Sequence, residues 1–257
     1  MLKFKTTTLL FALVLILLVA FSIITSLNII FIILLLILYL VILVYGSYSI
    51  CSGFYVKTYC SAKIAKREIA ITFDDGPNGE VTGNVLNILK DSDIKACFFL
   101  IGENATHNED IIERMNNEGH LIGNHSFAHS NYYDLYSSGR MMDDLMATEN
   151  AIFKITGRKT RLFRPPFGVT NPAVKKSAAK LNYLVIGWSI RSLDGTISDP
   201  DKIFKRVCRR LKPGAIILFH DNHPKILSIL SRFIEYVTKN EYKIVRLDTL
   251  LNITSYK

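Results

Sequence analysis

The chain has 257 residues, with 31 Lys and Arg against 22 Asp and Glu, and a formal net charge of +9. It contains no run of Lys and Arg interleaved with aromatic residues, so we expect no nucleic-acid partner. Behind an apolar N-terminal segment, the remaining roughly 200 residues are enough to bury one substantial core.

The N-terminal segment is predicted to be a membrane anchor. No charged residue occurs between Thr6 and Val56, and a bilayer core requires about 20 apolar residues of helix. The apolar stretch is too long for one comfortable span, and Thr25, Ser26 and Asn28 interrupt it. This pattern favours two helices over one signal sequence, which would have a shorter apolar region and a small-residue cleavage site.

We therefore predict two transmembrane helices, at about 7–25 and 29–47, joined by a tight turn. One long tilted helix is the alternative. On this division the chain has an anchor, 1–57, and a folded domain, 58–257. The protein would then be an integral protein of the cell membrane.

Basic residues flank the predicted hairpin on both sides: Lys3, Lys5, Lys57, Lys63, Lys66 and Arg67. If both helices cross the bilayer, the excess of positive charge predicts that both ends of the hairpin lie in the cytoplasm. The folded domain would then face the cytoplasmic leaflet, whereas a single crossing would place it outside. Because we favour the hairpin, we favour the cytoplasmic face.

The four cysteines do not form a CxxC pair, which argues against a structural zinc site. Cys51 and Cys60 both lie beside the membrane segment and are close enough in sequence to pair, although nothing in the sequence requires it. Cys97 lies in an apolar run and is predicted to be a buried small hydrophobic residue.

Strand-like and helix-like segments alternate through the folded domain. The predicted strands are 69–73, 96–101, 120–123, 161–164, 183–188, 215–219 and 243–247. The predicted helices are 81–89, 109–118, 138–156, 172–181, 200–211 and 224–239. Repeated β/α units indicate an α/β fold, in which helices pack outside a parallel sheet.

Polar residues recur where these strands end. They are Asp74, Asp75, His125, His129, Arg164, Asp194, His220 and Asp221. In a parallel barrel the carboxyl ends of the strands meet at one face, where active sites form. We therefore expect these side chains to converge in space although they are far apart in sequence.

His125 and His129 are four residues apart, so a helical turn would place both on one face, where they could chelate a metal. Asp75 would complete a set of two His and one carboxylate and leave a coordination position open. Such a site can activate water near neutral pH. The same ligand set also describes iron-dependent oxygenases, which remain an alternative.

Asp74 and Asp75 leave their strand in succession, so their side chains point in different directions. One can hold a metal while the other faces the water beside it, which suits a ligand and a general base. His220 ends an apolar strand, and a histidine there can act as a general acid. The other histidines, His107, His120 and His223, are predicted to be structural.

Five motifs in order resemble those of the polysaccharide deacetylase family, carbohydrate esterase family 4, which shares the NodB-homology domain. They are Thr72-Phe73-Asp74-Asp75-Gly76-Pro77, His125-Ser126-Phe127-Ala128-His129, Arg164-Pro165-Pro166-Phe167-Gly168, Ser192-Leu193-Asp194 and Leu218-Phe219-His220-Asp221. The resemblance covers about residues 69–251. It implies a distorted (β/α) barrel of about seven strands, with 58–257 as the catalytic domain.

The resemblance also implies a hydrolase that removes N-acetyl or related acyl groups from the amino sugars of a polysaccharide or a lipid-linked glycan. It implies that Asp75, His125 and His129 bind one divalent metal ion, zinc in most members and cobalt or nickel in some. Asp74 would be the general base, and Arg164 would orient it.

For the remaining positions, the resemblance implies that the backbone N–H of Phe167 helps to stabilise the oxyanion. His220 would be the general acid, with Asp194 as its hydrogen-bonded partner. Leu218 would line the pocket for the acetyl methyl group. A membrane-held, non-catalytic glycan-binding module with the same fold is the alternative function.

The sequence departs from the family pattern at three positions. Gly195 stands where a Trp is usual, Phe167 where a Tyr is frequent, and Arg191 where we expect an acid. The change at Gly195 leaves the choice of substrate open. The role of Arg191 is not explained by the motifs.

Overall fold

The computed structural model describes residues 2–25 and 28–257. The chain begins with two helices, α1 (Phe4–Thr25) and α2 (Ile30–Tyr48). Each has a mean hydropathy of 2.9 over its most apolar stretch and is long and apolar enough to cross a membrane. The turn predicted between them includes Ser26, which with Leu27 lies outside the described residues.

The two apolar helices pack side by side. The ring of Phe11 on α1 stacks on that of Tyr39 on α2, with 3.9 Å between centroids, and the Thr8 hydroxyl lies 2.9 Å from the Tyr39 hydroxyl. The first residue of α1 is bonded to the segment that follows α2, because the Phe4 N–H donates to Phe54 O at 3.0 Å.

The rest of the described chain is built around one parallel sheet of nine strands. They are β1 (Thr58–Tyr59), β2 (Glu68–Asp74), β3 (Cys97–Leu100), β4 (Leu121–Asn124), β5 (Leu162–Phe163), β6 (Leu184–Ile186), β7 (Ile190–Arg191), β8 (Ile216–His220) and β9 (Lys243–Ile244). The order is β1-β6-β5-β4-β3-β2-β8-β7, and β9 pairs with the start of β2.

Helices lie between the strands along the chain. They are α3 (Gly79–Asp91), α4 (Gly102–Ala105), α5 (Glu109–Asn117), α6 (Ser138–Thr156), α7 (Pro172–Lys180), α8 (Pro200–Arg209), α9 (Lys225–Lys239) and α10 (Leu247–Leu251). Several begin or end at the residues that the sequence suggests. The Ser137 side chain caps α6, and Gly157 ends that helix in a left-handed conformation.

The predicted α/β class and distorted (β/α) barrel are confirmed. Among the described residues no pairing joins β1 to β7, so the barrel is open. The two extra strands are short: β1 and β7 have two residues each. Neither lies in an apolar run that the sequence pattern marks as a separate strand, so the sequence predicts about seven strands.

Several predicted strands are shorter than expected, and two of them end two or more residues early. The strand predicted at 243–247 pairs with β2 only over Lys243 and Ile244, and Leu247 begins α10, where it is buried in the core. The strand predicted at 183–188 ends at Ile186. A side chain at Gly187 would approach Cys60 Sγ to 2.6 Å. The chain bends at Ser189, and Trp188 lies outside the strand.

The core lies on both faces of β2, as expected for a central parallel strand. Ile69, Ile71 and Phe73 pack on one side with residues of α3 and α9. Ala70 packs on the other side with residues of β3 and α10. Because β3 and β8 flank β2, the carboxyl end of β2 is held from both sides at the face where the polar motifs lie.

Candidate active site

The carboxyl end of β2 places two adjacent aspartates, Asp74 and Asp75, among the polar motif residues. We call this group the cluster; it comprises Asp74, Asp75, His125, His129, Arg164 and His220. Asp74 is paired in register with Phe99 on β3 and His220 on β8, and is 3% exposed. Asp75 follows in the left-handed region, at φ 73°. This sharp change of direction separates the two carboxylates, so they contact different partners.

Asp75 contacts the two motif histidines. Its Oδ1 lies 3.5 Å from His125 Nε2 and 3.5 Å from His129 Nε2. Asp75, His125 and His129 each offer one possible metal-ligand atom, and these three atoms lie within 4.8 Å of one another. Asp75 Oδ1 is buried and accepts no hydrogen bond from the described residues. An orphaned carboxylate oxygen between two imidazole nitrogens fits a divalent cation.

The other nitrogen of His125 fixes the orientation of its ring. His125 Nδ1 lies 2.7 Å from the carbonyl oxygen of Arg164, so it carries the proton and Nε2 keeps its lone pair toward Asp75. Metal-binding histidines are commonly oriented in this way. Burial alone would raise the pKa of Asp75, but the neighbouring imidazoles of His125, His220 and His129 hold it well below its usual range.

The prediction that His125 and His129 lie on a helical turn is wrong. The segment is a loop, in which Ser126 and His129 have φ values of 69° and 45°. It is held by side chains: Ser126 N donates to Asn124 Oδ1 at 2.9 Å, and Phe127 N donates to Asp144 Oδ1 at 2.9 Å. The loop nevertheless brings the two histidine rings within 5.0 Å.

Arg164 is fully buried beneath the cluster and contacts Asp74. Its Nη1 donates to Asp74 Oδ1 at 2.6 Å and to Thr72 Oγ1 at 2.8 Å. Its Nε and Nη2 donate to the carbonyl oxygens of Ile186 and Gly187. These bonds fix the position of the guanidinium, which in turn holds Asp74 Oδ1. The other carboxylate oxygen, Oδ2, is not bonded to Arg164 and lies 3.9 Å from His125 Nε2.

His220 and Asp194 form a pair on the opposite side of Asp75. His220 Nδ1 lies 2.6 Å from Asp194 Oδ1, and the His220 backbone N–H donates to Asp194 Oδ2 at 2.8 Å. His220 Nε2 then faces Asp75 Oδ2 at 4.0 Å. Burial alone would lower the pKa of His220, but the hydrogen bond with Asp194 and its charge raise it to about 9.

Phe167 and Leu218 line the same small pocket, which has a volume of about 100 Å³. Phe167 is in the left-handed region at φ 57° and is 45% exposed as a residue, and its ring meets the ring of His129 edge-on at 4.7 Å. Gly168 is required after it, because a Cβ there would lie 2.3 Å from Trp188. Leu218 is 2% exposed on β8.

The structure adds residues that the motifs did not identify. Trp188 and Arg191 line the pocket, and Asn222 donates to Asp75 Oδ2 at 3.3 Å. Gly195 lines a neighbouring cavity of about 280 Å³ beside His220, and a Cβ at Gly195 would meet nothing within 4 Å. Only Gly195 and Arg191 gave a signal in the sequence, as departures from the family pattern.

The fold and site together define an open α/β barrel with ionisable groups gathered at the carboxyl ends of its strands. Residues 61–186 match the family described as polysaccharide deacetylase. The chain is 36% identical over 155 residues to a peptidoglycan-N-acetylglucosamine deacetylase of Bacillus cereus. That match covers 60% of the chain and 56% of the relative's length.

Solved structures agree. The crystal structure of the Bc1960 peptidoglycan N-acetylglucosamine deacetylase is similar with a TM-score of 0.73 and 30% identity, over 77% of this chain and 94% of that one. The structure of BA3943 from Bacillus anthracis, described as a CE4 family pseudoenzyme, is similar with a TM-score of 0.70 and 29% identity, over 76% and 68%. The chain belongs to the polysaccharide deacetylase family.

Proposed function

We propose that the protein is a metal-dependent hydrolase that removes N-acetyl groups from amino sugars. One observation carries the proposal: Asp75, His125 and His129 converge on one point, with Asp74 on one side and His220 on the other. The names of its relatives, which describe deacetylases of peptidoglycan, support the same reaction.

Asp75, His125 and His129 would hold the metal ion, which we propose to be zinc, with cobalt or nickel as substitutes. A divalent ion bound there supplies Lewis acidity, which polarises the amide carbonyl and makes water more acidic. Two imidazoles and one carboxylate suit zinc and leave room for substrate. The orphaned Asp75 Oδ1 supports this assignment.

Asp74 is proposed as the general base. Arg164 occupies its Oδ1 through a bond of 2.6 Å, so Oδ2 is the oxygen that faces the cluster. A carboxylate fixed in this way can take the proton of the attacking water.

His220 is proposed as the general acid. The Asp194 carboxylate raises its pKa to about 9, so the imidazole is protonated at neutral pH. Asp194 holds Nδ1, which leaves Nε2 directed at the cluster. From there it can protonate the amine nitrogen as the carbon–nitrogen bond breaks, and a free amino sugar and acetate leave.

Phe167 and Leu218 are proposed to bind the acyl group. The Phe167 backbone N–H would donate to the developing oxyanion, and preorganised donors of this kind contribute about 3 to 4 kcal/mol in other hydrolases. Leu218 is apolar, buried and on the wall of a pocket of about 100 Å³. A pocket of this size suits an acetyl methyl group.

We also propose that α1 and α2 anchor the protein in the membrane.

Two features indicate opposite faces of the membrane for the folded domain. The flanking basic residues favour the cytoplasmic face, whereas Cys51 and Cys60 form a disulfide. Disulfides persist in oxidising compartments, so we place the domain on the outer face, in place of the cytoplasmic face that the sequence favours. Protease cleavage near Lys57 in intact cells tests this, and cleavage only after lysis would overturn it.

The proposed reaction is tested by measuring acetate release from an N-acetylated chito-oligomer with the full-length protein in detergent. We expect Asp74→Asn to lower the rate at least a hundredfold, because the base is removed. Asp91→Asn, an exposed aspartate at the end of α3, is the matched control and should leave the rate unchanged. Equal rates for the two variants would refute the role of Asp74.

A non-catalytic role is the second candidate, because the similar BA3943 structure is described as a pseudoenzyme. The fold alone therefore does not establish activity. Asp74, Asp75, both motif histidines and His220 are all present here and in contact, and a binding module does not need all five. Glycan binding without acetate release from any N-acetylated sugar would favour the second candidate.

A further inference from the structure

The proposed catalytic pocket adjoins a larger cavity on the side of the apolar helices. Phe167, Trp188 and Arg191 line both the pocket and this second cavity, whose volume is about 500 Å³. The far wall of the cavity includes Tyr45 and Tyr48, which lie in the last turn of α2. We call it the helix-side groove. It connects the catalytic residues with the end of a helix that is long enough to span a membrane.

The end of α2 is attached directly to the rim of the active site. Thr170, two residues after Gly168, donates its N–H to Ser47 O at 3.0 Å and its hydroxyl to Gly46 O at 3.2 Å. Cys51 Sγ lies 3.1 Å from Trp188 O. With α2 in a bilayer, these contacts keep the groove at the level of the lipid headgroups, so the domain does not extend away from the membrane to reach its substrate.

The helix-side groove carries positive charge that no carboxylate of the described residues balances. Arg191 and Arg206 both line it. In the described part of the chain neither forms an ion pair. Arg206 Nε donates to Arg191 O at 3.0 Å, which ties the Arg206 side chain to the Arg191 backbone. Arg191 Nε is buried and has no hydrogen-bond partner among residues 2–25 and 28–257.

Other positive charges lie close to this pair. Burial and the charges of Arg210 and Arg191 lower the pKa of Arg206, which is the expected result when like charges gather without an anion between them. Guanidinium groups bind phosphate through paired hydrogen bonds. An uncharged glycan would leave these charges unbalanced, whereas a phosphate between the sugar and a lipid would balance them.

We propose that the amino sugar reaches the site on a membrane lipid, joined to it through a phosphate or diphosphate. The sugar occupies the catalytic pocket, the phosphate lies against Arg191 and Arg206, and the lipid chain passes Tyr45 and Tyr48 into the bilayer. Tyrosines are common at this depth of a membrane protein. The proposal rests on the proposed deacetylase function and on insertion of α2 in the membrane.

The chemistry of the step is a simple hydrolysis. Water adds to the amide carbonyl, the carbon–nitrogen bond breaks, and acetate leaves. The nitrogen takes up a proton and remains on the sugar as an amine. The bond between sugar and phosphate is untouched, so the product is a lipid-linked amino sugar, and no oxidant or second substrate is consumed.

The test compares three substrates with the full-length, zinc-loaded protein in nanodiscs. The lipid substrate is N-acetylglucosamine 1-phosphate esterified to a C20 prenol; the others are the same prenol glycoside without phosphate and an N-acetylated chito-oligomer. We expect kcat/KM to be at least a hundredfold higher for the lipid phosphate than for the oligomer. Arg206→Gln should lower the lipid-phosphate value at least tenfold more than the value for the neutral glycoside.

Arg209→Gln is the matched control, because Arg209 is exposed on the same helix and does not line the groove; it should change neither value. The proposal is overturned if the oligomer is the better substrate or if the Arg206 and Arg209 variants behave alike. A binding measurement separates this failure from that of the proposed function. The lipid phosphate should bind the Asp74→Asn protein, and Arg206→Gln should weaken that binding at least tenfold, even if no substrate is hydrolysed.

Discussion

Arg164 and Asp74 form a buried ion pair at the base of the site. The guanidinium donates to Asp74 Oδ1 at 2.6 Å, and the two residues are 0% and 3% exposed. Arg164 comes from the end of β5 and Asp74 from the end of β2, with β4 and β3 between them in the sheet. The pair therefore ties Asp74, the proposed general base, to a part of the fold that is distant in sequence.

We expect Arg164→Gln to destabilise the protein by about 3 to 5 kcal/mol, because removing one partner leaves a buried charge uncompensated. It would also leave the carbonyl oxygens of Ile186 and Gly187 without their donors. Urea unfolding of the full-length protein in detergent measures the change. Arg209→Gln, which is exposed, serves as the control. A loss below about 1 kcal/mol, the scale of a surface pair, would show that the buried pair is not structural.

Asp194→Asn should change the pH dependence of the reaction. His220, the proposed general acid, must be protonated to act, so we expect activity to be lost as pH rises through its pKa, which Asp194 raises to about 9. Without the charge of Asp194, this pKa should fall toward the ordinary value for histidine of about 6.5. The alkaline limb of kcat/KM should therefore move to lower pH.

The measurement is a profile of kcat/KM from acid to alkaline pH for the wild type and the variant, since kcat/KM reports groups of the free enzyme. Asp91→Asn is the control and should keep the wild-type profile. An alkaline limb that stays in place in the Asp194 variant would show that His220 is not the acid whose titration limits the reaction.

His120 should make stability depend on pH, although it is outside the site. The backbone N–H of Ala96 donates to its Nδ1 at 3.1 Å, and the residue is 3% exposed. Burial lowers the pKa of His120 to about 4, against the opposing charge of Glu118. Protonation of Nδ1 would break the bond with Ala96, so the folded state prefers the neutral ring.

The sign follows from this preference. Above the unfolded pKa of about 6.5 the neutral ring carries no penalty. As pH falls from there to about 4, the unfolded chain takes up a proton that the folded chain does not, so the free energy of unfolding decreases by roughly 3 kcal/mol. His120→Asn keeps an acceptor for Ala96 and removes the titration. Urea unfolding at pH 7 and pH 4.5 should show a smaller decrease in this variant, and an equal decrease would contradict the assignment.

Much of the site could be predicted because its residues follow strands. Asp74, Arg164 and His220 each come at the carboxyl end of a strand that the apolar pattern shows, and parallel strands bring those ends together. In the structure Arg164 contacts Asp74, and His220 faces the adjacent Asp75, as expected. Here a local pattern was enough because the regular geometry of the sheet determines the distances.

Other features depend on contacts that no local pattern contains. The loop of His125 to His129 is shaped by Asn124 and by Asp144, which lies on α6, so the spacing of the histidines alone predicts a helical turn that does not form. The sequence does not decide the disulfide between Cys51 and Cys60 for the same reason. The role proposed for Arg191 follows only from its position in the structure, where it lines the same cavity as Tyr45 and Tyr48 of α2.

The most direct test of the account measures zinc content and acetate release on the same preparations of full-length protein. We predict one zinc ion per chain in the wild type, loss of activity on chelation, and recovery when zinc, cobalt or nickel is returned. Asp75→Ala should bind no zinc and release acetate at least a hundredfold more slowly. Full activity in the Asp75→Ala variant or in the metal-stripped protein would contradict the account.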